Sequence, residues 1–248
     1  MKPGKVLLIH GFTSGPFAFE FLIPALREEG LSPIVPTLRG HGHDSWKKLS
    51  GFTWRDWLED ARKALDEAAG EDGPVVIVGH SMGGLLALIL AADNPGKVRA
   101  LVLAGAAIHL ASPFTPGHLL GFLQPVLGRV FKSWDMTPFY TDRKMLASDR
   151  NYRRAPMSSI NTMIELVSTT KKKLSKVTAP TLVLQGRKDR RVSWKSAGII
   201  SNNIATPENQ KGVAMFSETD HEMFRDCEKL QVITRVMEYL KSLEDNSR

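Results

Sequence analysis

The amino-acid sequence predicts a protein of the α/β class, with a mostly parallel sheet that helices cover on both faces. Short apolar runs alternate with segments of helical periodicity along most of the chain, which is typical of strands joined by helical crossovers. The 248 residues suffice for one large domain, and 42% hydrophobic with 24% charged residues excludes wholesale disorder. The alternation stops at about residues 107–173, where we expect a small helical insertion.

Six short apolar runs are predicted as strands because each is rich in aliphatic residues and ends at glycine or polar residues. In chain order they occupy residues 5–9, 32–35, 75–78, 100–104, 181–185 and 213–216. Helical segments lie between them, so the strands should run parallel and be buried on both faces.

Five segments are predicted as helices of the main domain from their apolar spacing. They occupy residues 17–29, 54–69, 82–92, 193–203 and 222–243. The first contains Pro24, so it should be kinked there or begin near it. The second should be capped by Thr53, and the third is apolar on nearly all sides and should be buried.

The predicted insertion is taken as a cap of residues 107–173 on a core of residues 1–106 and 174–248. It holds ten Lys and Arg against four Asp and Glu, so most of the net charge of +7 lies there. A solvated face and attraction to anionic surfaces or substrates both explain this excess. Nucleic-acid binding is not expected, because the sequence has no recognition motif and no aromatic residues interleaved with the basic ones.

Several classes of protein are disfavoured by what the sequence contains. No apolar stretch approaches the roughly 18 residues of a membrane-spanning helix, and the apolar run after Lys5 is too short for a signal peptide. Cys227 is the only cysteine, so neither an internal disulfide nor a thiolate metal site is expected. We therefore expect a cytoplasmic protein with no stable membrane insertion.

The strongest chemical signal is Gly79-His80-Ser81-Met82-Gly83, between the predicted strand at 75–78 and an apolar helix. So tight a turn from strand to helix strains its central residue, and the flanking glycines avoid clashes. The hydroxyl is then held above the carboxyl edge of the sheet, where ligands bind in open α/β folds. Ser81 is therefore the predicted nucleophile.

A serine nucleophile needs a general base, which in this architecture comes last in the chain. The histidines downstream of Ser81 are His109, His118 and His221. His109 and His118 fall at the start of the predicted cap, whereas His221 follows the sixth strand at the carboxyl edge. His221 is the predicted base.

The base needs an orienting carboxylate, for which three aspartates are candidates. Asp189 follows the fifth strand and reaches the same edge of the sheet. Asp220 adjoins His221 too directly for the two side chains to face each other, and Asp226 is expected inside the last helix. Asp189 is the predicted acid, and the basic residues around it should favour its ionised form.

The oxyanion of the tetrahedral intermediate needs backbone donors. One should be the N–H of Met82, the residue after the nucleophile, and the other the N–H of Phe12 in the loop after the first strand.

Taken together, these motifs resemble the α/β-hydrolase superfamily over essentially the whole chain apart from the insertion. The resemblance is carried by Val6-Leu7-Leu8-Ile9-His10-Gly11-Phe12-Thr13, Leu38-Arg39-Gly40-His41-Gly42, Gly79-His80-Ser81-Met82-Gly83-Gly84 and the loops of Asp189 and His221. The chain looks most like small bacterial carboxylesterases and monoacylglycerol lipases, which share the H-G-F-T opening and a small cap. Haloalkane dehalogenases and epoxide hydrolases are disfavoured, because they resemble this fold but use Asp in place of Ser81.

The resemblance implies a serine esterase that cleaves short- to medium-chain carboxylic esters through an acyl-enzyme, with no cofactor or metal. The alternative is a monoacylglycerol or lysophospholipid lipase whose basic cap contacts anionic lipid. Thioesterases, perhydrolases and carbon–carbon bond hydrolases also use a serine nucleophile at this position, so these activities remain further alternatives. A non-catalytic binding module is disfavoured by the intact Ser, Asp and His set.

Overall fold

The computed structural model describes residues 4–42, 44–70, 73–112 and 131–245. Its strands are β1 Lys5–Ile9, β2 Ser32–Ile34, β3 Val75–His80, β4 Val98–Ala104, β5 Ser133–Asp135, β6 Arg154–Pro156, β7 Thr181–Gly186 and β8 Lys211–Phe216. Six of them form one sheet in the order β2-β1-β3-β4-β7-β8, and every pair in it is parallel. The predicted parallel sheet is confirmed.

Helices cover this sheet on both faces, as predicted. They are α1 Leu22–Glu28, α2 Trp54–Ala69, α3 Met82–Asp93, α4 Arg143–Ala147, α5 Met157–Lys173, α6 Lys195–Asn203 and α7 Lys229–Asp245. One apolar cluster joins the sheet to α2, α3, α5 and α6, and a second joins its other face to α1 and α7. No helix in the described ranges is both long and apolar enough to cross a membrane.

The helices α2 and α3 follow the sequence closely. In α2 the backbone N–H of Thr53 donates to Asp56 Oδ2 at 2.8 Å, which ties the residue before the helix to its first turn. In α3 the residues from Met82 to Ala91 are all buried, as the apolar run predicts. This helix packs between the sheet and the predicted cap, and its first residue follows Ser81 directly.

The first helix begins later than the apolar pattern suggests. A 3₁₀ turn at Pro16–Phe19 precedes α1, and Pro24 lies in the first turn of α1. A proline is tolerated there because the N–H groups of the first turn have no partner within the helix. Of the two alternatives, a helix beginning near Pro24 is the one observed.

The last helix was predicted to begin at residue 222, and this is wrong because α7 begins at Lys229. Asp226 therefore does not lie inside a helix. Its buried carboxylate accepts the backbone N–H groups of Thr141, Asp142 and Asp220 at 2.8–3.0 Å. These bonds hold residues 220–226 in a turn, and they would be lost if the segment were helical.

The predicted cap contains more than helices. Within residues 131–173, α4 and α5 are accompanied by an antiparallel pair, β5 with β6, which was not predicted. This pair is separate from the six-stranded sheet. The Pro- and Phe-rich part of the predicted cap, residues 113–130, and with it His118, lies outside the described residues.

Candidate active site

The turn between β3 and α3 has the strained geometry that its sequence predicts. The backbone of Ser81 has φ 55° and ψ −114°, a conformation that residues other than glycine rarely adopt. A Cβ atom at Gly79 would lie 2.5 Å from the carbonyl oxygen of Gly83, and one at Gly83 would lie 1.9 Å from that of Ile9. Only glycine at both positions lets α3 leave the sheet so closely behind Ser81.

The structure brings the predicted nucleophile, base and acid together at the carboxyl edge of the sheet. Ser81 Oγ lies 2.8 Å from His221 Nε2, and His221 Nδ1 lies 2.9 Å from Asp189 Oδ2. Nδ1 donates to the carboxylate, which leaves Nε2 to accept the hydroxyl proton of Ser81. The geometry suits a general base that acts on a serine.

The carboxylate of Asp189 is fully buried and well supplied with donors. Oδ1 accepts the backbone N–H groups of Arg191 and Val192 at 2.9 and 2.8 Å, and Oδ2 accepts Gln185 Nε2 at 3.1 Å. Burial alone would raise the pKa of Asp189, but the His221 ring and these N–H groups outweigh it and lower the pKa. The group is therefore held as a carboxylate.

The pKa of His221 is raised, in contrast to that of Asp189. Burial alone would lower its pKa, but the charge of Asp189 and the hydrogen bond to it outweigh burial, and the pKa lies above 6.5. The Asp189 carboxylate thus stabilises the protonated ring that forms once His221 has taken a proton.

The other candidate residues have different partners. Asp220 Oδ1 accepts the backbone N–H of His221 at 2.8 Å, and Asp220 also binds Arg190. The hydrogen bonds described for Asp220 and Asp226 therefore hold the backbone of the loop that carries His221, and none of them goes to the imidazole ring. His109 lies just after β4, where its backbone N–H and carbonyl bond to Ser196 Oγ.

Of the two predicted oxyanion donors, Met82 directly follows Ser81 in the chain, and Phe12 lies in a loop that packs against Ser81. Met82 is the first residue of α3, so its N–H has no acceptor within the helix. The loop before Phe12 packs against the serine, since a Cβ at Gly11 would lie 3.0 Å from Ser81 Cβ. Phe12 itself lines the same cavity as Ser81.

Two buried histidines that the sequence reasoning did not use hold this arrangement in place. His10 Nδ1 donates to the Gly11 carbonyl while His10 Nε2 accepts the N–H of Leu38, and burial lowers its pKa to about 4. His80 Nε2 donates to the carbonyl of His221 at 2.9 Å, and burial lowers its pKa to about 3. Both rings are neutral and act as fixed links. The sequence signal that could have identified them is their position in the two motifs, where His10 precedes Gly11 and His80 precedes Ser81.

A cavity of about 370 Å³ opens beside Ser81 and His221, within the size range of small-molecule sites. Most of its lining is apolar and comes from the predicted cap, including Trp134, Met136, Met157, Ile160, Met163 and Ile164. Two polar residues that the sequence reasoning did not single out, Asn151 and Glu222, also line it.

Comparison with known families supports a common origin over almost the whole chain. A family profile described as "Serine aminopeptidase, S33" matches residues 2–228.

Among curated proteins, the thermostable monoacylglycerol lipase of Bacillus sp. (strain H-257) is 28% identical, covering 96% of this chain and 90% of that protein. The carboxylesterase of Bacillus subtilis (strain 168) is 26% identical, covering 96% of this chain and 93% of that protein.

Among solved structures, one described by "LipS and LipT, two metagenome-derived lipolytic enzymes" superposes with a TM-score of 0.83 at 22% identity. It covers 96% of this chain and 93% of its own. This likeness shows the fold, which is that of the α/β-hydrolases.

Proposed function

Because the chain belongs to the family described as serine aminopeptidase, S33, and is a serine hydrolase of the carboxylesterase and lipase type, we propose that Ser81, His221 and Asp189 form its catalytic triad. The observation that carries this proposal is the unbroken chain of hydrogen bonds from Asp189 through His221 to Ser81, beside an apolar cavity. The substrates are carboxylic esters with short- to medium-length acyl chains.

In the first half of the reaction, His221 Nε2 takes the hydroxyl proton as Ser81 Oγ attacks the ester carbonyl. Asp189 keeps the imidazole in the tautomer that accepts this proton, and stabilises the imidazolium. The N–H groups of Phe12 and Met82 stabilise the oxyanion. His221 then gives its proton to the departing alcohol, and the acyl group stays on Ser81.

In the second half, a water molecule takes the place of the alcohol. His221 removes its proton as the water attacks the acyl-enzyme carbonyl, and the same donors stabilise the second oxyanion. Collapse of this intermediate releases the carboxylic acid and returns the proton from His221 to Ser81.

The cavity supports the proposed acyl range. Its apolar lining favours hydrocarbon chains, because each buried CH₂ contributes about 0.8 kcal/mol. The volume of about 370 Å³ limits how much chain can be enclosed, so the benefit of lengthening the chain should end within the medium-length range.

Hydrolysis of p-nitrophenyl esters from acetate to palmitate tests both the mechanism and the acyl range. We expect kcat/KM to be highest for a short or medium chain in the wild type. Ser81→Ala should lower kcat by at least about 10³-fold, leaving the contribution of the oxyanion donors. The matched control is Ser158→Ala, at an exposed serine of α5, which should retain wild-type turnover.

Wild-type turnover in Ser81→Ala would contradict the mechanism, as would failure of a serine-reactive phosphonate to label Ser81. An optimum at palmitate would overturn the proposed acyl range. Turnover of alanine p-nitroanilide with none of any ester would instead indicate peptide substrates.

A second proposal concerns the surface around the cavity. Phe131, Lys132, Arg153 and Arg154 are all exposed on the predicted cap, and the guanidinium of Arg154 donates to Ser133 Oγ, the residue next to Lys132 in the chain. We propose that this group of residues, the basic cap face, makes peripheral contact with anionic lipid without stable insertion. Binding to anionic and neutral vesicles tests it.

The domain division and location are also proposals. We propose that residues 107–173 form a cap on a core of residues 1–106 and 174–248, supported by the separate β5–β6 pair and by the share of the cavity lining that residues 131–173 provide.

We propose a cytoplasmic location, with which a free exposed Cys227 is compatible. Fractionation of the native cell tests the location.

A further inference from the structure

Glu222 is a buried carboxyl group in the wall of the cavity that contains Ser81 and His221. A buried carboxyl group is costly unless hydrogen bonds compensate it. The described bonds give Glu222 Oε1 one side-chain donor, Asn151 Nδ2, at 3.2 Å. The triad chemistry proposed above does not use this group.

Asn151 has unused hydrogen-bonding capacity at the same place. Its amide nitrogen donates to Asp149 Oδ1 at 2.8 Å as well as to Glu222, so the orientation of the amide is fixed. Its Oδ1 atom is buried and has no hydrogen-bond partner among the described residues. A buried acceptor without a donor typically costs about 1–3 kcal/mol, which a ligand hydroxyl would recover.

The position of these two residues relates them to the alcohol part of the ester. His221 gives its proton to the departing alcohol, so the alcohol must lie against the His221 side of Ser81. Glu222 follows His221 in the chain, and Tyr152, next to Asn151, donates its backbone N–H to Thr13 in the loop of Phe12. The polar pair thus lies beside the base and the oxyanion loop, whereas α5 contributes apolar side chains.

The electrostatics favour a neutral hydroxyl over an ammonium group. Arg191 lines the same cavity and opposes the binding of a cation there, whereas Arg190, which also lines it, is paired with Asp220. Burial raises the pKa of Glu222 to about 7, so near neutral pH a large fraction is an uncharged acid that both donates and accepts.

We propose that Glu222 and Asn151 form a polar subsite for the alcohol part of the substrate, which selects esters of polyols with a free hydroxyl group close to the ester. This inference rests on the proposed function and narrows its substrate class. Glu222 and Asn151 are specificity-determining residues in this scheme, and the bond-making steps belong to the triad.

The test compares two esters with the same acyl chain and the same three-carbon alcohol skeleton, 1-monooctanoylglycerol and propyl octanoate. They differ by two hydroxyl groups in the alcohol. The readout is the ratio of kcat/KM for the two esters, which does not depend on how much of a variant is folded. We expect the wild type to favour the glycerol ester at least about tenfold, since a site that hydrogen-bonds a hydroxyl rejects the analogue lacking it.

Glu222→Met should lower this ratio about tenfold or more, and Asn151→Ala should lower it in the same direction. Glu222→Gln keeps a hydrogen-bonding group of the same shape and should retain part of the preference. The matched control is Glu208→Met, because the side chain of Glu208 is 89% exposed at a distant turn, and its ratio should equal that of the wild type.

A wild-type ratio near one would overturn the proposal, and so would an unchanged ratio in Glu222→Met. A wild type that hydrolyses neither these esters nor any p-nitrophenyl ester would refute the proposed function, and the subsite with it. Hydrolysis of p-nitrophenyl esters therefore separates a failure of the subsite from a failure of the mechanism.

Discussion

Asp189 and His221 interact so closely that each sets the ionisation of the other. The pKa of His221 lies above 6.5 because the charge of Asp189 and its hydrogen bond outweigh the effect of burial. Glu222 adds to this effect and Arg191 opposes it. Only the neutral ring can accept the proton of Ser81, so activity should rise with pH as His221 loses its proton.

The pH dependence of kcat/KM provides a prediction for these residues. In the wild type the acid limb should have its midpoint above pH 6.5. Asp189→Asn removes the charge that raises the pKa of His221, so the midpoint should move to lower pH while the maximum rate falls about 10⁴-fold. The measurement is hydrolysis of a p-nitrophenyl ester between pH 5 and 9.

Asp66→Asn is the matched control, because Asp66 forms an exposed pair with Lys97. Its profile should coincide with that of the wild type. A limb for Asp189→Asn at the wild-type position or at higher pH would show that Asp189 does not set the ionisation of His221.

Among the elements, the loop from residue 220 to 226 connects the catalytic base to the predicted cap. Arg225 has a side chain that is only 2% exposed, and it donates to Glu20, Tyr140 and Asp149. The Asp149 carboxylate is completely buried. Removing Arg225 would leave that carboxylate without its cation, which is far more costly than losing a surface ion pair.

We therefore expect Arg225→Met to lower the free energy of unfolding by about 3 kcal/mol or more. Arg235→Met is the control, because Arg235 is 42% exposed and pairs with Glu238 within α7; its effect should stay within about 0.5 kcal/mol. Urea unfolding followed by circular dichroism measures both. Equal stability of the two variants would mean that Arg225 does not hold Asp149 in place.

The same loop shows where sequence-based prediction reaches its limit. The strands and α3 were predictable because each is a nearly unbroken apolar run that ends at glycine or polar residues, and the glycines around Ser81 left little choice of turn. The segment from Glu222 to Glu228 has a helical pattern, but hydrogen bonds of Asp226 and Arg225 to residues 76 to 85 positions earlier fix another conformation. A local pattern cannot report such distant partners.

The pair β5 and β6 was missed for a related reason. Each strand has three residues, which is too short to show alternation, and the paired residues Trp134 and Ala155 are 21 positions apart. For the site, the motif Gly79-His80-Ser81-Met82-Gly83 was enough to nominate Ser81, and chain order with a position after the fifth or sixth strand was enough to nominate Asp189 and His221. Glu222 and Asn151 had no such signal, because they meet only in the folded chain.

At the scale of the whole molecule, the net charge of +7 is unevenly distributed along the sequence, with ten basic and four acidic residues between 107 and 173. In the described part of that segment, the basic cap face presents its charges beside the exposed ring of Phe131. Such a combination of cationic and apolar groups attracts anionic lipid surfaces at low salt and less so at high salt.

Vesicle sedimentation should therefore show binding to phosphatidylglycerol vesicles and little to phosphatidylcholine vesicles, with a loss of several-fold between 0.05 and 0.5 M salt. The double variant Lys132→Glu, Arg153→Glu should bind several-fold more weakly. Arg62→Glu, Lys63→Glu makes the same charge change on the exposed face of α2 and should bind more strongly than that variant. Equal binding by both double variants would place the contact elsewhere.

The attachment of the 220–226 loop to the predicted cap bears on how new specificities could be built from this scaffold. Asp226 holds the backbone of Thr141 and Asp142, Arg225 holds Asp149, and Glu222 meets Asn151. A chimera that received only the 107–173 segment of a relative would lose these partners and disturb the base itself. The transferable unit is the segment together with residues 220–226, so recombination libraries should exchange the two as one block.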